Sequence, residues 1–216
     1  MRLHPLRALS SERPFSALCL SLAVLFTSLS SPNNTSHAAP KEGSTSAGLT
    51  VGQPAPDFTL KDHTGATHTL SSYRGKLVVL EWTNPGCPFV VRHSEAKTMS
   101  KLKEAFPDVV WLTINSSYFN TDSDSAAWAQ REGVKVVLND SAGQVGRLYN
   151  ARTTPHMYVI NTKGELAYQG AIDSDPYGDQ KEPVNYVSEA LKALKAERAP
   201  AVSETKPYGC SVKYKR

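Results

Sequence analysis

The chain has 216 residues, enough for one ordinary domain. Apolar residues make up 40% of it and charged residues 20%, which argues against a wholly disordered chain and against a multi-span membrane protein. The net charge is only +4, much of it from arginines near the N-terminus, so composition favours no nucleic-acid partner.

The N-terminal segment has the pattern of an export signal. Arg2, Arg7 and Arg13 precede an apolar run over 15–29, and small residues follow up to Ala38. The pattern predicts a signal peptide over 1–38 and a periplasmic or secreted protein with no stable membrane span after cleavage. The alternative is an uncleaved anchor, although the run is short for a bilayer. Residues 39–50 are small and polar, which predicts a disordered lead-in.

The rest of the chain alternates patterns that are typical of strands and helices. Strands are predicted at 76–83, 109–115 and 136–138, helices at 88–106, 124–133, 142–149 and 184–198, and a hairpin at 157–160 and 165–169. This alternation predicts an α/β domain over 51–199, with a parallel sheet and an antiparallel hairpin at its edge. An irregular tail over 200–216 follows and carries Cys210.

Cys87 lies between the first predicted strand and its helix, within Asn-Pro-Gly-Cys-Pro-Phe-Val. A sulfur at a helix start faces unpaired backbone N–H groups and the positive end of the helix dipole, and both stabilise a thiolate. We therefore expect the pKa of this thiol to lie below that of a free cysteine. The alternative is a buried cysteine that acts as a small apolar residue.

These residues resemble a known group of proteins. The strand–Cys87–Pro88–helix unit, with Thr154-Pro155 before a later strand, resembles the thioredoxin fold, and within it the redoxin (AhpC/TSA) and peroxiredoxin-like proteins. One subgroup of these has Cys-Pro-Phe/Tyr-Val and a C-terminal Gly-Cys-Ser-x-Lys, present here from Cys87 and from Gly209. The resemblance implies a mixed sheet flanked by helices, and a bond between Cys87 and Cys210 would need the C-terminal tail to fold back. It covers about residues 50–216.

Two departures from the resemblance bear on activity. Val90 stands where thioredoxins have their second cysteine, so a local dithiol loop is excluded. Asn84 and Leu80 stand where typical peroxiredoxins have a threonine and a proline, and the strand that should supply an arginine begins instead with Pro155. The elements that polarise a peroxide are therefore not evident.

Cys210 is the only other cysteine after signal removal, an even count that suits an oxidising compartment. A permanent Cys87–Cys210 disulfide would contribute about 4–5 kcal/mol in the chain-entropy treatment. A reversible disulfide would make Cys210 the partner that resolves an oxidised Cys87, and this is the interpretation we favour. A free cysteine in the tail is the third possibility.

The resemblance implies roles for several residues near Cys87. Glu81 precedes Cys87 by six residues, the spacing of the thioredoxin aspartate that relays protons, and is a candidate general acid or base. The alternative places Glu81 at the surface. Thr154-Pro155 resembles the cis-proline turn that aligns a substrate strand, and Pro88 completes the candidate substrate-binding set. The alternative is an ordinary trans proline at the start of a strand.

The histidines have weaker patterns. His93 follows Cys87 by six helical residues, which places it off the Cys87 side and predicts a surface position. His156 follows the Thr154-Pro155 turn and is a candidate proton carrier or, with Cys87, a minority candidate for a metal ligand. We predict neither a metal site nor another cofactor.

The sequence therefore predicts an exported thiol oxidoreductase with Cys87 and Cys210 as its working pair. The expected partners are a protein disulfide or a peroxide as substrate and an external thiol as reductant. A redox-inactive thioredoxin-like binding module, a metallochaperone and a protein with a structural Cys87–Cys210 disulfide are the alternatives.

Overall fold

A computed structural model describes residues 49–216 of the chain. The predicted signal peptide and all but the last two residues of the predicted lead-in lie outside that range. The strands are Thr59–Asp62 (β1), Thr67–Thr69 (β2), Val78–Trp82 (β3), Val110–Asn115 (β4), Val137–Asn139 (β5), Thr153–Thr154 (β6), His156–Ile160 (β7), Leu166–Gly170 (β8) and Cys210–Ser211 (β9). The α-helices are Pro88–Glu95 (α1), Thr98–Ala105 (α2), Asp122–Glu132 (α3), Gln144–Leu148 (α4) and Tyr186–Lys195 (α5).

Seven strands form one mixed sheet in the order β2-β1-β5-β4-β3-β7-β8. The β3–β4 and β4–β5 pairs are parallel, whereas β7 pairs antiparallel with both β3 and β8. The predicted α/β class, the mixed sheet and the edge hairpin are thus confirmed. Each of the parallel connections carries helices, as a crossover between parallel strands requires.

Central strand β3 is buried on both faces, which explains its continuous apolar sequence. Leu80 and Trp82 pack on one face against Tyr149 and Tyr158, within a cluster that includes residues of β4, β7 and α4. Val79 packs on the other face in a cluster that includes α2 and α5 residues. Burial on both faces fixes where β3 ends, and with it the position of the loop that carries Cys87.

The segment predicted as one helix over 88–106 is two helices, which corrects that prediction. The break lies at Lys97, whose backbone is left-handed with φ 55°. Residues 92–98 have no large apolar side chain, so no continuous apolar stripe joins α1 to α2. The shorter α1 leaves His93 in its last turn.

The β1–β2 hairpin and the C-terminal tail lie outside the predicted strands and helices. The hairpin of β1 and β2 at the sheet edge was not predicted; its turn is held by the Asp62 carboxylate, which accepts hydrogen bonds from the backbone of Thr64 and Ala66. The C-terminal tail folds back, as a bond between Cys87 and Cys210 would need, and β9 pairs with β6. Within residues 49–216, no helix has the length and apolar composition to cross a bilayer.

Candidate active site

Cys87 occupies the N-cap position of α1, directly after the loop that leaves β3. The Cys87 backbone N–H donates to the Asn84 carbonyl at 2.9 Å, and the Asn84 side-chain oxygen accepts from Gly86 N–H at 2.9 Å. Pro88 is the first helical residue, where its missing N–H costs nothing. The local sequence therefore builds a tight turn that presents the sulfur at the helix start, with Cys87 only 1% exposed.

The Cys87 sulfur is surrounded by hydrogen-bonding groups. In the reduced form its thiol donates to the Thr154 carbonyl oxygen, with 2.9 Å between sulfur and oxygen. Burial raises the pKa of Cys87, but hydrogen bonds to the sulfur from the Cys210 thiol, the Thr154 hydroxyl and the Val90 N–H outweigh it. The pKa of Cys87 thus lies below the ordinary thiol value, in the direction that the helix-start argument predicts.

Cys210 reaches Cys87 from the folded-back tail. Cys210 pairs with Thr154 in the β6–β9 ladder, and both cysteines are free thiols. Burial, together with the hydrogen bond to Cys87 and the charge of Cys87, raises the pKa of Cys210 to about 11. The two sulfurs therefore differ in character: Cys87 is the easier to ionise and Cys210 the harder.

The close approach of the tail requires Gly209. Its φ is +130°, and a Cβ atom placed there would lie 2.1 Å from the Thr154 carbonyl oxygen. That oxygen is the acceptor of the Cys87 thiol. The glycine next to Cys210 thus lets the tail backbone pass beside the Thr154 carbonyl.

The predicted substrate-binding residues lie beside the sulfurs. The Thr154–Pro155 peptide bond is cis, as the resemblance implies. Pro155 is buried, and Pro88 is exposed at the start of α1. The structure brings Cys87, Cys210 and Thr154 into contact.

Glu81 is buried, with 7% of the residue exposed, which removes the surface alternative. Its carboxylate accepts a hydrogen bond from the Thr113 hydroxyl at 3.2 Å. Burial raises the pKa of Glu81, while Lys103 and the Thr113 hydrogen bond oppose that rise and Glu132 adds to it. Glu81 lines a small cavity of about 30 Å³ with Val90 and Trp128, which also pack against Cys87. A cavity of this size admits a water molecule.

His93 is buried, at 3% exposure, so the predicted surface position is wrong. Its Nε2 lies 2.9 Å from the Tyr208 hydroxyl of the tail, and its Nδ1 lies 3.1 Å from the Thr98 hydroxyl. The helix face that points away from Cys87 is covered by the tail and by the loop that carries Asp173. Helical phase alone could not reveal this cover, because it comes from residues distant in sequence.

His156 is buried in β7, and its hydrogen bonds go to the Arg152 N–H and the Tyr158 hydroxyl rather than to either sulfur. Burial, with a smaller contribution from Arg152, lowers the pKa of His156 to about 3, so the ring is neutral near pH 7. Within residues 49–216 no cluster of three or more His, Cys, Asp or Glu side chains is arranged to hold a metal ion. No metal site is assigned to the described chain.

The sheet topology and a cysteine at the start of its first crossover helix define a thioredoxin-fold thiol oxidoreductase. The chain belongs to the AhpC/TSA family, whose sequence model matches residues 51–169. That match ends before the tail and therefore before Cys210.

Individual proteins of known sequence agree with this assignment. The chain is 28% identical to the thiol-disulfide oxidoreductase ResA of Geobacillus kaustophilus, over 55% of this chain and 67% of that protein. It is 27% identical to the chloroplastic peroxiredoxin Q of Populus jackii, over 89% of this chain and 86% of that protein. The relatives thus include both disulfide-exchanging and peroxiredoxin proteins, and the enzyme class is redox chemistry at a thiol.

A solved structure shows the same fold. The hypothetical protein SMc02350 of Sinorhizobium meliloti 1021 superposes with a TM-score of 0.68 at 24% identity, over 77% of this chain and 96% of that one. The similarity extends over nearly the whole of that protein, which supports the thioredoxin-like architecture of the described domain.

Proposed function

We propose that the protein is an exported thiol-disulfide oxidoreductase in which Cys87 is the nucleophile and Cys210 resolves it. The observation that carries the proposal is the placement of two free thiols around Thr154: the Cys87 thiol donates to the Thr154 carbonyl, and Cys210 pairs with Thr154 and packs against the cluster that holds Cys87. The pKa of Cys87 is lowered and that of Cys210 is raised. An enzyme of this kind needs such a difference in pKa, because Cys87 must attack the substrate as a thiolate while Cys210 stays protonated until the mixed disulfide has formed.

The first step is attack of the Cys87 thiolate on a sulfur of a protein disulfide. The substrate S–S bond breaks, a bond between Cys87 and one substrate sulfur forms, and the other substrate sulfur leaves as a thiolate that takes up a proton. Cys87 then carries no charge, so the contribution of that charge to the high pKa of Cys210 disappears.

In the second step Cys210 loses its proton and attacks the Cys87 sulfur. The Cys87–Cys210 bond forms, and the second substrate sulfur leaves as a thiol. The substrate has gained two electrons and the cysteine pair has lost two, which an external thiol reductant returns. Glu81 is our candidate to exchange protons with the site through its small cavity. The Thr154–Pro155 turn and Pro88 would receive the substrate strand.

A second candidate reaction is the reduction of a peroxide, favoured by the similarity to peroxiredoxin Q. The Cys87 thiolate would attack a peroxide oxygen and break the O–O bond, so that Cys87 becomes a sulfenic acid and the other oxygen leaves, with a proton, as water or an alcohol. The sulfenic acid would then condense with the Cys210 thiol to form the disulfide, with release of a water molecule. The sequence favours this reaction less, because Asn84 and Leu80 stand where typical peroxiredoxins have a threonine and a proline.

Export is proposed from the sequence of residues 1–38. An oxidising compartment suits a reversible pair of cysteines, and the intact mass of protein recovered from the periplasm would show whether the mature chain begins near Ala39. Full-length chain in the membrane fraction would contradict the proposal.

The test compares two rates for the purified mature protein: reduction of a model protein disulfide and consumption of hydrogen peroxide. We expect disulfide reduction to dominate, and the Cys87→Ser variant to lose both reactions. The Cys210→Ser variant should accumulate a mixed disulfide at Cys87. Faster peroxide consumption would favour the second candidate. A Cys87–Cys210 bond that resists reduction at potentials below about −300 mV would instead indicate a structural disulfide.

A further inference from the structure

Backbone hydrogen bonds hold the tail on either side of residues 206–209, the stretch that leads into Cys210, but not within it. Thr205 bonds to the Gln169 backbone, and after Cys210 the Val212 N–H donates to the Arg152 carbonyl at 3.0 Å. Between these anchors, residues 206–209 make no backbone–backbone hydrogen bond in the described part of the chain. The position of the stretch that leads into Cys210 must therefore depend on its side chains.

Tyr208 supplies the side-chain contacts of this stretch. Its hydroxyl donates to the Asp173 carboxylate, which can only accept. The Tyr208 oxygen accepts from Arg92 at 3.4 Å and lies 2.9 Å from His93 Nε2, which is also 3.0 Å from the Arg92 guanidinium. The Tyr208 ring stacks on the His93 ring and lies 6.0 Å from the Phe89 ring, centroid to centroid. We call Tyr208, His93, Asp173 and Arg92 the tail clamp.

The tail clamp joins the two segments that carry the sulfurs. His93 is on α1, the helix that begins next to Cys87, and Tyr208 precedes Cys210 by two residues. Both His93 and Asp173 are buried, so removal of the Tyr208 hydroxyl would take one hydrogen bond from each in a place that water does not reach. His93 would keep its contact with Thr98, and Asp173 would keep the hydrogen bond from the Asp175 N–H. The clamp therefore favours one position of the tail relative to α1.

We propose that Tyr208, held by His93, Asp173 and Arg92, is a positioning residue that sets Cys210 for attack on the Cys87 sulfur. This inference rests on the proposed function and deepens it. Bond formation within one chain depends on how often the two groups adopt the reacting geometry, and fixed orientation raises that frequency by orders of magnitude. Tyr208 itself touches no reacting atom in this scheme.

The experiment measures how Cys87 partitions in a glutathione redox buffer between the bond to Cys210 and a mixed disulfide with glutathione. Intact mass after acid quench and alkylation gives both populations. We expect Tyr208→Phe to lower the ratio of intramolecular to mixed disulfide by about tenfold, since the ring packing stays and the hydroxyl bonds are lost. Asp173→Asn and His93→Gln should lower the same ratio and serve if Tyr208→Phe does not fold.

Two controls separate positioning from general stability. Tyr177→Phe changes an exposed tyrosine outside the clamp and should leave the ratio unchanged. Val187→Ala removes buried volume on α5, so it should lower the melting temperature and leave the ratio unchanged. A structural role alone would make the ratio follow the melting temperature in all variants.

The outcomes also separate this inference from the proposed function. A wild-type protein that forms no Cys87–Cys210 bond at any glutathione ratio would overturn both. A wild-type protein that forms the bond, with clamp variants whose ratio equals that of wild type, would overturn the positioning role and leave the function in place.

Discussion

Two regions of the molecule bring one sulfur each to the same place, and they are held in different ways. Strand β3 and helix α1 carry Cys87 on a continuous ladder of backbone hydrogen bonds, with apolar cover on both faces of the strand. The tail carries Cys210 on a two-residue strand, with backbone hydrogen bonds at Thr205 and Val212 and individual side-chain contacts between them. The first region is thus part of the core, and the second is attached to it.

The difference matters for a reversible disulfide. A nucleophile benefits from a rigid site that keeps its pKa lowered in every cycle, whereas a resolving cysteine must approach and withdraw as the bond forms and breaks. Local contacts that open independently of the core allow such movement. If the two regions are energetically separable, a change in one should leave the other near its wild-type state.

The largest effect is expected from Leu80→Ala in β3. Leu80 is completely buried, and large-to-small changes at such sites cost about 2–5 kcal/mol. Denaturant unfolding should show this loss, while the Cys87–Cys210 equilibrium of the folded protein should stay near the wild-type value. The matched tail variant Val202→Ala, at a half-exposed site, should cost less than about 0.5 kcal/mol. Equal losses from both variants would contradict the division into core and attached tail.

The next effect concerns acid, because a buried histidine lies between the two regions. Burial, with opposition from Asp173, lowers the pKa of His93 from its ordinary 6.5 to about 4. Between these values the unfolded chain binds a proton that the folded chain does not, so stability falls as pH drops from 6.5 towards 4. The loss from His93 should reach roughly 2–3 kcal/mol.

Unfolding curves at pH 7 and pH 4.5 for the wild type and for His93→Gln measure this contribution. The variant should lose less stability over that interval, since glutamine does not titrate. His156, whose pKa is about 3, adds a second loss of the same sign in both proteins and does not affect the comparison. Parallel pH profiles for the two proteins would show that His93 is not buried as described.

A smaller and more local effect is expected from Gly209→Ala. The added Cβ meets the Thr154 carbonyl oxygen, a backbone atom that cannot move aside as a side chain can. The tail should shift away from Thr154 and the Cys87–Cys210 bond should become about tenfold less favoured, or roughly 1.4 kcal/mol. Gly75→Ala is the matched control, because Gly75 also has a positive φ but nothing within 4 Å of an added Cβ. An unchanged disulfide equilibrium in Gly209→Ala would show that the tail adapts.

The two regions also differ in how far the sequence alone could predict them. Cys87 lies between a continuous apolar run and an amphipathic segment, so strand, turn and helix start follow from local patterns. Cys210 lies in a stretch with no periodicity, and only the need for a bridge to Cys87 predicted that the tail folds back. Tyr208 and Asp173 gave no signal, since their partners are distant in the chain.

The errors of the sequence-based prediction arise because local patterns do not show what packs against a segment. His93 was predicted at the surface because helical phase says which way a side chain points and not what covers it. The β1–β2 hairpin was missed because its strands, Thr-Leu-Lys-Asp and Thr-His-Thr, lack apolar alternation. The sequence could not show whether Glu81 is buried or exposed, because the pattern of one strand does not show that both faces of its sheet are covered.

A small gain in stability is expected from Glu81→Gln, in the core region. The folded-state pKa of Glu81 is raised above the unfolded value by burial. Between the unfolded and the folded pKa, the folded chain keeps a proton that the unfolded chain has released. The free energy of unfolding therefore falls as pH rises above the unfolded pKa. Glutamine removes this loss, so Glu81→Gln should be more stable than wild type at pH 8 by about 1 kcal/mol, the usual scale of a single substitution. The two proteins should converge near pH 4.

The same variant tests whether the core region supplies chemistry as well as support. If Glu81 exchanges protons with the cysteine pair, Glu81→Gln should slow disulfide reduction by at least about tenfold even though it stabilises the fold. Thr113→Val, which removes the hydroxyl that donates to Glu81, is the matched control, and it should raise the carboxyl pKa further without removing the proton carrier. The pH dependence of the rate of Thr113→Val should therefore shift to higher pH, while the maximum rate stays the same. A Glu81→Gln protein that is more stable and equally fast would leave Glu81 a buried acid with no part in the reaction.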